Sequence, residues 1–372
     1  MKIVQKEIMI RFNTPAFLGD AEQKGRWRTP PFKALLRQWW RVVAAKDFEY
    51  DYRKLRKQEG VLFGHAWLKE GPANRAKTWA MKSQVQVTLN EWKPGVLNSV
   101  MNSGKVCHPE VNNERLPKCS NNRPGRLIET NLYLGFGSVG TKGLSHPPAI
   151  GTNESATLTI AFPDIYEADI NQALNLIQLF GTTGGRSRNG WGSVVLGDSY
   201  IVDQNELLAV NHIENLPSRK INDCLKLDWP HAIGRDDNEQ LFLWRTEPYD
   251  SWQNAMKDLA ETKIAFRTAL PFTGRARSID KRHFIAYPIT NHSIQEWGSD
   301  SRLANQLRFK VLSLSNGQLI GIAYHLPCGL PKELMDKLSP QDKNLVSIQN
   351  QLQVWKIVHQ TLDGRMTRIQ GG

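Results

Sequence analysis

The spacing of Phe32, Leu35, Leu36, Trp39, Trp40 and Val43 constrains this chain more than any other feature of its 372 residues. Apolar positions alternately three and one apart, held over three turns, describe one stripe of an α-helix. Thr29-Pro30 opens that helix. The threonine is placed to cap it, and a proline in the first turn gives up an N–H that has no intrahelical partner there. Lys33, Arg37 and Arg41 lie four apart along one flank, and no acidic residue occurs from Gln23 to Lys46 to pair with them locally.

The surrounding pattern predicts a sheet. Lys2 to Phe12 alternates as a first strand, and a loop with Pro15, Gly19 and Gly25 leads to the helix. Gln84 to Leu89, Leu127 to Leu134 and Ala156 to Phe162 read as strands, and Ala168 to Phe180 as a second helix ended by Gly181. The glycine-rich GTTGGRSRNGWGSVVLG, Gly181 to Gly197, runs into another strand. With insertions set aside, this reads as strand, helix, two strands, helix, strand, the ferredoxin-like order. After a connection at Asp203 to Pro217 the theme recurs less clearly. Cys224 to Trp229, Leu307 to Ser313 and Gly317 to His325 are the strand candidates there. Ser251 to about Ile264 and Asp342 to His359 are the helices. The expected fold class is α+β, two ferredoxin-like (RRM-like) domains in tandem with insertions. They span 1–215, with an Asn-, Pro- and Gly-rich insertion near 96–126, and 216–372.

Lys and Arg total 48 against 36 Asp and Glu, a formal net charge of +12. The excess is clustered. Besides the first helix and its lead-in (Lys24, Arg26, Arg28), no acid lies between Asp169 and Asp198, where Arg186 and Arg188 stand. A third cluster is Lys263, Arg267, Arg275, Arg277, Lys281 and Arg282, broken by Asp280. Four of the 12 tryptophans (Trp27, Trp39, Trp40 and Trp191) fall inside the two acid-free stretches. Cations for phosphates interleaved with aromatic faces for bases suit single-stranded nucleic acid, although tryptophans in such numbers also build cores. No apolar run approaches the roughly 18 residues of a membrane helix, and the amino-terminal residues carry no secretory hydrophobic segment. A cytoplasmic protein without a membrane partner is the expectation.

Motifs for other chemistries fail on context. GFGSVG, Gly135 to Gly140, matches GxGxxG, but Pro147-Pro148 follows where a dinucleotide site needs a helix. Gly185 to Gly190 has phosphate-loop spacing, with Trp191 where that motif needs lysine. The loop nevertheless combines glycines that let a backbone come close, donors from Arg186, Ser187 and Arg188, and an aromatic face. Cys107, His108 and Cys119, with Cys224 or Cys328, are the zinc candidates, but they lack CxxC or HxxxH pairing. Four cysteines so spread do not form a disulfide framework. No cofactor is implied. Asp20 with Glu22, or His65 or His146, are the candidate groups for an endoribonuclease alternative.

TPAFLGDAEQKGRWRTPPFKALLRQWWR (Thr14 to Arg41), then LYLGFG, then GGRSRNGWGS after a helix resemble the RAMP superfamily of CRISPR-associated RNA-binding proteins. Within it the chain is most similar to the first-numbered subunit family of the type III-B (Cmr) effector complex. Asp300 to Pro327 resembles the carboxy-terminal half of the same family, whereas Asp198 to Asp300 carries little of the resemblance. The resemblance implies two ferredoxin-like domains and a non-catalytic subunit contacting the 3′ part of the CRISPR RNA and the paired target RNA. It implies neighbouring type III effector subunits as partners. The RNA-binding residues it marks are Arg26, Lys33, Arg37 and Arg41 and the loop Gly184 to Gly192. The basic and aromatic pattern adds Arg28, Trp40, Arg275 and Arg277, and within the loop Gly184, Gly185, Arg186, Ser187, Arg188 and Trp191 are singled out. In related subunits an aspartate in the loop after the first strand cuts RNA. Asp20 lies in a comparable loop, although its flanking GDAEQ departs from those enzymes.

Overall fold

Two units share the chain, and each is threaded as strand, helix, two strands, helix, strand. The computed structural model describes residues 2–70, 77–100, 104–197, 216–273 and 277–369. Within these, the first unit comprises 2–98, 146–187 and 191–197, and the second the remainder. The insertion therefore clusters with the second unit and not with the domain it interrupts in sequence. The expected connection at Asp203 to Pro217 lies almost wholly outside the described residues.

In the first unit, β1 (Ile3–Phe12) leads to α1 (Thr29–Ala44) and α2 (Tyr52–Phe63). It continues through β2 (Gln86–Leu89), β3 (Ser155–Pro163), α3 (Glu167–Phe180) and β4 (Val194–Leu196). A two-stranded ribbon, His65–Glu70 with Lys77–Met81, is inserted between α2 and β2. The sheet order is β4-β1-β3-β2, antiparallel throughout, with nine register pairs between β1 and β3 from Ile3↔Pro163 to Arg11↔Ser155. That order is the ferredoxin-like arrangement the sequence predicts.

The period-2 alternation of β1 puts Ile10 and Phe12 under the helices. Phe12 meets Trp27 and Phe32 at centroid distances of 5.5 and 6.3 Å. Trp39 stacks on Phe180 of α3 at 5.6 Å. Each of these buried side chains contributes about 1.5–3 kcal/mol of apolar burial, which fixes α1 on the sheet. Thr29 is not the cap. It is already helical, Arg28 occupies the cap position without a side-chain hydrogen bond, and proline sits in the first turn as expected.

The second unit repeats the thread. β5 (Leu243–Arg245), α4 (Trp252–Thr268), β6 (Leu307–Ser313), β7 (Leu319–His325), α5 (Ile348–Asp363) and β8 (Thr367–Arg368) build a sheet in the order β6-β7-β5-β8. This is the same 4-1-3-2 order viewed from the other edge. The first strand is therefore Leu243–Arg245, and not Cys224 to Trp229, which folds as a short helix, Ile221–Cys224, followed by turns. Leu127 to Leu134 is likewise corrected. Arg126–Glu129 is a strand paired with Lys105–His108, and Thr130–Gly135 is a helical turn whose Thr130 and Asn131 are buried.

Cys107 and Cys119 form a disulfide at this inserted hairpin, with Cα atoms 5.4 Å apart, a single bond where the cysteine spacing indicated no disulfide framework and offered both cysteines as zinc candidates. The zinc candidates fall with it, because two of the three lack the thiolate that zinc requires. Cys224 and Cys328 are free and buried.

Candidate nucleic-acid interface

The helix flank identified in sequence lines a groove. Lys33, Arg37 and Arg41 of α1 face Lys82, Ser83, Val85 and Gln86 at the β2 edge across a cavity of about 850 Å³. The one-in-four spacing along α1 supplies three of the four cations, and the entry into the sheet-edge strand supplies Lys82. Lys33 donates to Ser83 Oγ at 2.7 Å, and Ser83 in turn donates to the Val85 carbonyl at 2.6 Å, so the lysine is tied to the opposite wall. Partial burial, and then the neighbouring Arg37 charge, pull the Lys33 pKa below its ordinary value.

The arginines are not unpaired, as their local sequence had suggested. Glu59 of α2 is buried and accepts from Arg37 Nε and, as a fork, from Arg41 Nε and Nη2 at 2.6 and 2.5 Å. One carboxylate orients two guanidiniums that stay 38 % and 43 % exposed, leaving donors directed at solvent. The groove retains a cationic excess with fixed geometry.

The glycine loop is held differently. Gly184 has φ +91°, and a Cβ there would sit 2.7 Å from the Phe17 carbonyl oxygen; at Gly192, φ +62°, a Cβ would sit 2.0 Å from that of Thr183. Both positions exclude side chains. Gly185 N–H donates to the Phe17 carbonyl and Gly192 N–H to that of Pro15, each at 2.9 Å, pinning the loop to the segment after β1. Gly184, Arg186 and Arg188 are exposed, whereas Gly185 and Ser187 are half-buried.

Trp191 and Trp40, read as faces for bases, are instead core. They are 0 % and 1 % exposed, Trp191 packing on Phe17 at 4.8 Å and Trp40 on Phe63 at 5.7 Å. Trp27 and Trp39 are buried as well.

The sheets supply no substitute. The open face of β1 to β3 presents residues such as Gln5, Glu7, Met9, Thr88, Thr157 and Thr159, without an aromatic. On the second sheet, Gly321 and Phe309 face α4, so Arg308, Lys310, Ile322 and Tyr324 occupy the opposite face, and all four are buried. Base stacking on a ferredoxin-like sheet, the usual RRM mode, has no platform among these strands.

The remaining candidates scatter. Arg26 is engaged by Asp20 (3.3 Å) and the Trp92 carbonyl (2.9 Å), and Arg28 is half-buried at the start of α1. Burial raises the Asp20 pKa, but the Lys24 and Glu22 amides and Arg26 outweigh it and hold the carboxyl below its usual range. Asp20 thus closes a turn, which is a poor setting for a general base. His65 stacks edge-on against Trp79 at 3.7 Å, outside the groove lining. The third basic cluster is largely consumed. Arg282 is 3 % exposed and forked onto Glu110 at 2.6 and 2.7 Å, and Lys263 donates to Asn189 at 2.8 Å. Arg277 is exposed with φ +62°, and Arg275 lies outside the described residues. Lys82 in the groove lining, and the buried Glu59 that orients two of its arginines, are the residues that sequence reading missed.

A family model described as the RAMP superfamily matches residues 10–195, half of the chain. No curated relative is found by sequence. Among solved structures the chain is similar to apo Cmr1 from Pyrococcus furiosus, at 15% identity and TM-score 0.44, covering 100% of this chain and 99% of that one. It is similar to a chain of the type III-B Cmr-β complex bound to cognate target RNA, at 13% and 0.48, covering 96% and 100%. It is also similar to a chain of a type IV-B CRISPR complex, at 14% and 0.29, covering 52% and 89%. With TM-scores below 0.5, none of these bears on the placement of a residue.

Proposed function

The chain belongs to the RAMP superfamily, and from that premise we propose that it is a non-catalytic RNA-binding subunit of a type III CRISPR ribonucleoprotein. In this reading it holds the 3′ part of the CRISPR RNA and the target RNA paired with it, in antiviral defence, beside other subunits of the effector. The TP-x-F…LLR-x-WWR string within Thr14 to Arg41 favours the Cmr type.

One observation carries the RNA contact: Lys33, Arg37, Arg41 and Lys82 line a single groove, the two arginines aimed by Glu59. Guanidinium and ammonium groups in a row suit consecutive phosphates, and the open face of the first sheet offers no aromatic on which bases could stack. Sequence is then read by guide–target pairing, and the protein recognises backbone and shape.

The test is a salt titration of the full chain against single-stranded RNAs of unrelated sequence. Four phosphate contacts at about 0.7 each give a log–log slope near −2.8, or roughly a 50-fold loss of affinity from 50 to 200 mM salt. Replacing Lys33 and Lys82 together by alanine flattens the slope by about 1.4 and weakens every sequence alike. A flat salt response, or strong preference for one short sequence, refutes the reading.

A further inference from the structure

The glycine loop brings a second arginine site into being, in the second unit. Asn189 bridges Phe309 in parallel, and Phe309 N–H donates to the Arg188 carbonyl at 3.0 Å. In a parallel pairing, residues at matching positions project to the same side, so Arg188 stands opposite Arg308 on one face. Arg308 pairs in register with Tyr324 of β7, which completes a row of three.

The row carries two positive charges, and no ion pair to either arginine is formed among the described residues. Arg188 is exposed at its outer end, while Arg308 is only 6 % exposed and its buried Nε–H has no acceptor. The groups acting electrostatically on Arg188 are Arg308, Tyr324 and Cys328, with no carboxylate among them. Burial pushes the Tyr324 hydroxyl and the Cys328 thiol each up to about 12, so both are neutral at pH 7. The nearby Asp228 is exposed and acts on Cys328, and its carboxylate accepts from the Lys332 amide at 3.4 Å. Burial, and then Arg308, lower Arg188 to about 10, where it is still a cation at neutral pH. Holding a buried guanidinium within electrostatic reach of another is costly unless an anion joins them, and a guanidinium fork matches the oxygens of a phosphate.

We propose that Arg188 and Arg308 form a phosphate-binding clamp and that the group it takes is a phosphodiester of the RNA backbone. The identity of that ligand rests on the RNA-binding reading above. Arg308 donates to the Tyr324 hydroxyl, which adds no charge, so, among the described residues, neutralisation is left to the anion.

Two arms separate clamp from ligand. In the first, thermal unfolding of the full chain is followed with inorganic phosphate against chloride at equal ionic strength. Phosphate at 10 mM is expected to raise Tm by roughly 2–4 °C in the wild type, from simple linkage at a millimolar Kd. It is expected to give no shift in Arg188→Ala, a change at an exposed position, and a reduced one in Arg308→Lys, which keeps the charge but loses the fork. In the second arm, Arg188→Ala should weaken single-stranded RNA binding about tenfold or more and flatten the salt slope by about 0.7. An equal phosphate shift in wild type and Arg188→Ala overturns the clamp. A phosphate shift lost in Arg188→Ala with unaltered RNA affinity overturns the RNA diester as its ligand. A wild type that binds no RNA rejects the subunit reading instead, while the phosphate arm, read without RNA, still decides the clamp.

Discussion

Acid should unfold the second unit through a pair of histidines in its core. His325 Nδ1 and His359 Nε2 lie 3.0 Å apart, packed among Phe242, Trp244 and Trp355, and both residues are buried. At that distance the two rings share one proton, one donating and the other accepting, so both are neutral. Burial, and then the Arg368 guanidinium, hold His359 down to about 3, and burial and His359 lower His325 in the same direction. The sign follows from linkage. The folded pKa is below the unfolded value near 6.5, so the stabilisation is complete above pH 6.5 and is lost as pH falls from there toward 3. Each histidine that stays unprotonated in the fold removes about 1.4 kcal/mol per pH unit in that window. His359 alone therefore removes about 2.3 kcal/mol between pH 6.5 and 4.5, a large part of the 5–15 kcal/mol typical of a domain. Buried His231, lowered to about 4 by burial, acts with the same sign, so the comparison must be a difference. Urea unfolding by circular dichroism at pH 7.5, 6.5, 5.5 and 4.5, on the wild type and His359→Gln, isolates the term. Glutamine keeps a donor and an acceptor and does not titrate. The variant should start less stable at pH 7.5 and lose stability more slowly below pH 6.5, by about 1.4 kcal/mol per unit. Parallel pH profiles for the two proteins would refute the assignment.

Three further outcomes follow from the geometry. Glu59→Gln removes the carboxylate shared by Arg37 and Arg41; because both arginines are more than a third exposed, the expected loss is only about 1–2 kcal/mol in urea unfolding. Gly192→Ala places a Cβ 2.0 Å from the Thr183 carbonyl oxygen at φ +62°, and strain alone should cost about 1–3 kcal/mol, read as a lowered Tm. Iodoacetamide should label no cysteine in the native oxidised chain, two after denaturation (Cys224 and Cys328), and four when reductant is added, because Cys107 and Cys119 are bonded.

What the sequence revealed and what it hid divide along the range of the interactions. The α1 stripe and the β1 alternation are written in spacings shorter than ten residues, and both elements, with the order of the first unit, stand where the pattern placed them. Leu243–Arg245 was invisible because three residues are too few to show alternation, while Cys224 to Trp229 alternates without a strand partner. The pairing of Arg37 and Arg41 with Glu59 joins two helices, so the absence of acids near α1 in sequence said nothing about acids near it in space. The disulfide is closed by the inserted hairpin, whose pairing the spacing of Cys107 and Cys119 did not disclose. The tryptophans misled for a simpler reason. Clustering with arginine marks a stacking surface only if the rings are exposed, and Trp27, Trp39, Trp40 and Trp191 are each needed to fill a small core.

Burial of those rings changes what kind of RNA contact the proposed function allows. A protein that stacked bases on its sheets would lose affinity with each aromatic removed, in addition to the salt-dependent loss from its phosphate contacts. Here one sheet face is open but lacks aromatics, and the opposite face of the other sheet is closed. The cations, by contrast, are individually positioned: Lys33 by Ser83, Arg37 and Arg41 by Glu59, and Arg188 by the backbone pairing of its loop with β6. Each positioning group is neutral or only partly compensates the charge it aims, which is the arrangement a backbone-binding site needs and a structural ion pair does not. Affinity in this protein is therefore expected to be a sum of phosphate contacts, additive and indifferent to sequence, with specificity left to the pairing of one RNA strand with the other.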